Sequence, residues 1–390
     1  MRTALIHIGF LISLASGSAI ADQIKVGHCQ PDIVIGKELL ITDPSVIDDP
    51  SASLEGDLSF SNIFKLFSGQ SGEDKLTSEI LAKQALLDWL GEWNRNQLDS
   101  GVPAVSRSTA KLKWMWPKDP DGSLSLRKAP FILSAIVYRP DLSGQSQISG
   151  KSIAGEMRFV FNLIDPANGS AKQFTTIFEF PLFDIPSTPS WVARFHDLGK
   201  VAWGKTFISE LKSLISNLEV SESRLRTNDF FLAFEWDLRE FRVGADHKIK
   251  LQPLPMTPLI DFNDGDGALK LSEWVNGHSL EINTGTYDLD ISFQTANAFS
   301  PNEGFKWLLN KNISDPLRKG LSLHTCNGCH TGETMTRFTH IEARHRSGVS
   351  RISNFLSQDL LEREAIFERL ICHDENELIP LLGSRKGRVH

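Results

Sequence analysis

The chain has 390 residues, 41% of them hydrophobic and 23% charged, with a formal net charge of −7. Such a length predicts two or three domains of globular composition. The 28 Gly and 18 Pro are near average usage, which excludes collagen-like and wholly disordered chains, and the acidic balance argues against a nucleic-acid partner.

The first residues read as a targeting segment. Met1-Arg2 is a short positive start, Ala4 to Gly17 is mostly apolar, and Ala19-Ile20-Ala21 is a small-x-small cleavage pattern before Asp22. Residues 1–21 are therefore expected to be a signal peptide. The mature chain is expected to be exported, periplasmic or secreted, with no membrane span. In an oxidising compartment, cysteines are bridged or carry a cofactor.

Residues 22–60 are punctuated by Asp43-Pro44 and Asp49-Pro50 and read as an irregular, loosely packed lead-in. Residues 73–98 predict a helix with Leu76, Ile80, Leu87 and Leu90 on one face, Trp89 and Trp93 near it, and Glu73 and Asp74 at its positive end. Phe131 to Tyr138 is an apolar strand ended by Arg139-Pro140. Met157 to Leu163 and Phe174 to Phe180 alternate around the turn residues Asp165 to Ser170, an antiparallel hairpin. Ser190 is a helix N-cap, and Phe207, Leu211, Leu214, Ile215 and Leu218 follow at helical spacing. A second hairpin alternates from Phe230 to Leu238 and turns at Gly244-Ala245-Asp246 toward Ile249 and Leu251. Val349 to Leu356 and Leu361 to Leu370 suggest two short C-terminal helices. The fold class is α+β: a body over 61–295 of antiparallel hairpins with packed helices, and a small helical module over 296–390.

The chemistry lies in Cys326-Asn327-Gly328-Cys329-His330. Cys-x-x-Cys-His is the attachment signature of c-type haem. On a helical turn, residues i and i+3 share a face, so both thiols can reach one edge of the ring. His330 then becomes the proximal ligand of the iron. For the distal side, Met335 is too close in sequence to cross the ring. His340 is the first candidate, since Gly332 permits a turn between the two histidines. His345 follows it, and His324 or His196 would require the body to fold over the haem. An open sixth position is the other possibility. Arg337, Arg344 and Arg346 are candidates to pair a haem propionate.

A zinc site is the alternative cofactor. Cys326, Cys329, His340 and His345 read C-x2-C-x10-H-x4-H, near a Cys2His2 finger, but the apolar residues of a finger are nearly absent between the pairs, Phe338 alone qualifying. A plain Cys326–Cys329 disulfide is a third reading. Asp264, Asp266, Gly267 and Glu273 match positions of a calcium loop, yet Phe262 stands at the first ligand position; a turn before a helix explains the same residues. Cys29 and Cys372 remain, and a bridge between them would close a very long loop.

The run CNGCHTGETMTRFTHI, Cys326 to Ile341, resembles the C-terminal segment of a group of uncharacterised secreted bacterial proteins. These share a CNGCH-x-GET core, an F-x-H-I pattern and an arginine, here Phe338, His340, Ile341 and Arg344. The segments around Gly155 to Leu163 and Phe174 to Phe180 are similar to theirs too. The resemblance implies no activity. More broadly the motif resembles c-type cytochromes, without the downstream distal methionine of class I. The expectation is an exported haem protein with a redox role, electron transfer or a haem-dependent reaction, and a redox partner protein. Whether it is an enzyme stays open. The alternative is an exported non-enzymatic binding or surface protein with a structural zinc site.

Overall fold

The computed structural model describes residues 29–69, 75–146, 148–184, 190–310 and 312–372; the expected signal peptide and Glu73 and Asp74 lie outside these. Among the described residues no helix is long and apolar enough to cross a membrane.

In chain order, α1 (Ile35–Glu38), β1 (Leu40–Ile41), α2 (Pro44–Ile47), α3 (Phe60–Phe67), α4 (Lys75–Glu92) and α5 (Ala110–Met115) lead into the long strands β2 (Phe131–Gln145), β3 (Ser152–Ile164) and β4 (Ala171–Phe183). Next come α6 (Trp191–Lys200), α7 (Lys205–Ile215), β5 (Arg224–Asp229), β6 (Trp236–Val243), β7 (Ile249–Leu251) and β8 (Leu254–Pro258). Then follow α8 (Gly265–Gly277), α9 (Ser279–Thr284), β9 (Gln294–Thr295), β10 (Asn297–Ser300), α10 (Asp315–His324), α11 (Cys326–Cys329) and α12 (Asn354–Cys372). The fold is α+β. Its main sheet is antiparallel in the order β1-β2-β3-β4-β5-β6-β10, with β7 on β6 beside that path.

Strand period two sends alternate residues to opposite faces. Phe159 faces Phe178 and Phe161 faces Thr176 across β3 and β4. This face meets α3 and α4, where Phe60 stacks on Phe131 at 4.5 Å and Trp89 and Trp93 lie against Phe174 and Phe241. The hairpin over Asp165 to Ser170 forms as expected. The second does not start at Phe230: residues 230–235 are the connection, Phe234 is exposed at positive φ, and β6 begins at Trp236.

Three other expectations change. Residues 29–60 are packed: β1 pairs with β2, and Leu39, Leu40, Ile41, Val46 and Ile47 are buried. On α4 the buried side carries Ala82, Ala85, Leu86, Trp89 and Leu90, continued by Trp93 just past its end, whereas Leu76, Ile80 and Leu87 are at least half exposed. Within residues 296–372, two elements pack on the body. β10 joins the main sheet, and α12, one helix instead of two, contributes Leu356, Leu360, Ile366, Phe367 and Leu370 to the main core. A smaller core gathers Leu271, Tyr287, Trp307 and Leu321 from α8, α10 and the segments between. Cys29 and Cys372 are joined by a disulfide, Cα atoms 5.7 Å apart.

Candidate functional site

α11 is one helical turn between the smaller core and the sheet. Thr325 caps it, its Oγ1 accepting from the Gly328 N–H at 3.1 Å, and the Cys326 N–H donates to Thr257 Oγ1 at 3.0 Å. Cys326 and Cys329 are buried and neither is disulfide-bonded. The residues between them are chosen by packing. Asn327 accepts from Trp307 Nε1 at 2.9 Å and donates to the Phe299 carbonyl at 3.1 Å. A Cβ on Gly328 would collide with the Ser322 carbonyl.

His330 follows at the helix end, buried. Its Nδ1 lies 2.8 Å from the Phe338 carbonyl, and because a carbonyl only accepts, Nδ1 carries the proton. Coordination of a metal would then fall to Nε2. The ring stacks on Trp236 at 5.4 Å. Burial pushes the imidazole down to about 4, so it is neutral, the form that ligates.

His340 is brought to the same place. Its Nε2 is 3.5 Å from Cys329 Sγ and its Nδ1 is 3.0 Å from Ser353 Oγ. Its ring centroid is 4.6 Å from that of His330. Two metal–nitrogen bonds of roughly 2 Å each would have to fit between imidazoles on opposite faces of one iron. The 4.6 Å pair is too close for that, so His340 stands beside His330 and not across from it. Gly332 does not serve as a free hinge: it packs against the backbone of Gly304 and Phe305, leaving no room for a Cβ. Met335 is 90% exposed. His345 is exposed on the β3–β4 turn, where its Nδ1 accepts from Ala171 N–H; His324 lies against Tyr287, and His196 pairs with Glu38.

The zinc ligand set therefore does not converge, because His345 is far from the cysteines in the fold. Among the described residues no three or more His, Cys, Asp or Glu are grouped to hold a metal ion. The calcium loop does not form either: α8 begins at Gly265, takes Asp266 and Gly267 into its first turn, and uses Asp264 as its cap. The arginines expected near a propionate are elsewhere. Arg337 is on the surface, Arg344 is buried on Asp48 and the Ile47 and Leu133 carbonyls, and Arg346 packs on Gly169.

His330 and His340 both line a cleft of ≈ 700 Å³, its mouth included. Register builds its floor from the second face of the sheet. Val137 faces Arg158, Val160 faces Ile177, and Asn228 faces Leu238, all on the side opposite the phenylalanines. The roof is Thr339 to Ile341, Phe355, Leu356 and Arg363. A second groove, ≈ 800 Å³ and edged by Trp236 and Phe338, meets the first at Thr339.

The same register lays a ladder of opposite charges across this buried face. Arg139 faces Glu156, Arg158 faces Glu179, and Arg226 faces Glu240. Arg158 reaches Glu179 at 3.3 Å and Arg226 reaches Glu240 at 2.9 Å. Burial alone would raise Glu156 and Glu240, yet their arginine neighbours outweigh it and hold both down to about 2. Sequence reasoning missed these residues. The signal was Glu156-x-Arg158, Arg224-x-Arg226 and Glu240-x-Arg242, which share the strand alternation but look like a solvated face until something covers them.

These donors suit a covalently held haem in three respects: two thiols one turn apart, a neutral imidazole oriented through Nδ1, and an apolar cleft beside it. The ≈ 700 Å³ of the cleft includes its open mouth. Seating a macrocycle would therefore lift the roof segment. Compared with protein-family models, curated proteins and solved structures, the chain matches none.

Proposed function

We propose that the chain carries one haem covalently on Cys326 and Cys329, with His330 as its axial ligand, and acts as an exported redox protein. The observation that carries this reading is the placement of His330. It follows two buried thiols on one helical turn, and the Phe338 carbonyl holds its Nδ1 proton. Each thiol would add across a vinyl double bond, sulfur to one carbon and hydrogen to the other, so no oxidant or reductant is consumed. Bound there, the group supplies one-electron exchange at iron. His330 would provide the ligand, Trp236 would fix its ring plane, and Val137, Val160, Ile177 and Leu238 on the floor of the cleft would limit access of water to the group. In this arrangement His340 lies beside His330 and would not supply a second ligand, which would leave a bound iron accessible to a small molecule. The Cys29–Cys372 bridge suits an oxidising compartment, in keeping with the N-terminal targeting pattern. The zinc reading has less support, since among the described residues no three or more His, Cys, Asp or Glu are grouped to hold a metal ion.

The test is the intact mass and spectrum of the chain, made by a host that attaches haem. The expected result is one added haem that survives denaturation and is lost in Cys326→Ala/Cys329→Ala. Carbon monoxide should bind the reduced protein without prior loss of a ligand. An unmodified mass and a colourless protein would rule the reading out.

A further inference from the structure

We propose that the cleft binds an organic carboxylate, its oxygens on the guanidinium groups of Arg139 and Arg363 and its apolar body along Val137, Val160, Ile177 and Leu356. All six residues line the cleft. The two arginines are 0% and 2% exposed.

Each arginine has a donor left over. Arg139 places Nε and Nη2 on Asp141 at 2.8 and 2.6 Å, and its Nη1 is buried with no hydrogen-bond partner. Arg363 pairs with Asp359, while its Nε, 3.7 Å from Asp141 Oδ1, makes no hydrogen bond. Buried guanidinium donors are ordinarily satisfied, and a carboxylate is the acceptor whose two oxygens match them. The charges lining the cleft are Arg139, Arg158, Arg226, Arg363 and Glu179. Glu156 and Glu240 pair with Arg158 and Arg226, so the donors left for an anion are those of Arg139 and Arg363. Glu179 belongs to the ladder, at ion-pair distance from Arg158 and Arg224, two strands from Arg139. Asp141 and Asp359 flank the two arginines but do not line the cleft. Apolar walls with a few convergent polar groups are what a small organic ligand requires.

The carboxylate can come from the side chain of an attached haem or from a free acid. The inference stands on the haem-free cleft, so it can fail or hold independently of haem attachment. The experiment uses the full chain, made with and without haem attachment, and the probes 2-naphthoate and 2-naphthol, which share a ring system and differ in the carboxylate. For the haem-free chain, calorimetry should show saturable naphthoate binding at least tenfold tighter than naphthol. Arg139→Lys keeps the charge but loses the fork, and should weaken naphthoate at least fivefold while leaving naphthol unchanged. Should that variant fail to fold, Ile177→Trp, which fills the floor without touching a charge, should abolish binding of both probes. If the haem-carrying protein no longer takes naphthoate, the haem's own carboxylates fill the site; if it still does, the site serves a free acid. Equal affinity for the two probes, or no naphthoate binding to the haem-free chain, overturns the proposal.

Discussion

Asp229 shows how a single residue couples this fold to pH. It ends β5 on the apolar face, where its Oδ1 accepts from the Phe231 and Leu232 N–H groups at 2.8 and 2.9 Å. Burial, with Asp237 nearby, raises its carboxyl to about 6 against the pull of these hydrogen bonds and Arg107. Its folded value is above the unfolded one of about 3.9. Its stabilising contribution is thus complete in acid and declines as pH rises from about 4 to about 6, by about 3 kcal/mol if nothing relaxes. Glu156 and Glu240 work in the opposite sense: their contribution is in place above about pH 5 and is lost as pH falls toward 2. Asp229→Asn keeps the accepting oxygen and removes the titration. Urea melts at a series of pH values should show a shallower loss of stability between pH 4 and 6 in the variant; an unchanged slope would refute the assignment. At this scale the motif was legible. Cys326, Cys329 and His330 declare themselves by type and spacing, whereas nothing local announces that Asp229 is buried beside Asp237.

Helix α4 carries the lesson at the scale of the element. Its length and apolar richness follow from the sequence, but two sets of residues have helical spacing. Leu76, Ile80 and Leu87 form one, and Ala82, Leu86, Trp89, Leu90 and Trp93 form the other. The sheet chose the second because the tryptophans fill the space over Phe174 and Phe241. Neighbouring leucines should therefore differ sharply. Leu86→Ala should cost about 2–5 kcal/mol, and Leu87→Ala should stay within about 0.5 kcal/mol. Chemical denaturation of both variants checks this, and equal losses would contradict the assigned face. The strands teach the converse. Alternation in β3 and β4 correctly put the phenylalanines on one face, yet it could not say that the charged face is also covered. A ladder such as Arg158, Glu179 and Arg226 tolerates burial only because each charge has a partner across the strand. Register supplies the cross-strand partners, Arg158 to Glu179 and Arg226 to Glu240, and the same strand adds others, such as Glu156 at 2.9 Å from Arg158.

For the whole molecule, the Cys29–Cys372 bridge joins residues 343 positions apart and links the segment before α1 to the end of α12. Closing so long a loop restricts the unfolded chain more than the folded one. Cys29→Ser/Cys372→Ser should lose about 2–5 kcal/mol. Its melting temperature should no longer respond to reductant, whereas the parent's should fall. A parent indifferent to reductant under unfolding conditions would speak against the bridge. The bridge also holds the end of α12 to the N-terminal segment. α12 returns to the main core, while the helix just before Cys326 packs in the smaller one, so the Cys326–His330 turn lies near the junction of two cores. What the sequence by itself determined is local: the α+β class, the Asp165–Ser170 hairpin, the Ser190 cap, and a thiol–thiol–imidazole unit whose chemistry is contained in five consecutive residues. What the tertiary structure decided is everything that depends on distant segments meeting. His340 comes to lie beside His330, His345 is left on the surface, and the charged sheet face is roofed by residues 339–363. The physical reason is that helix and strand periodicity specify which residues share a face, while burial and strand register, settled by packing across more than a hundred residues of chain, specify what that face meets.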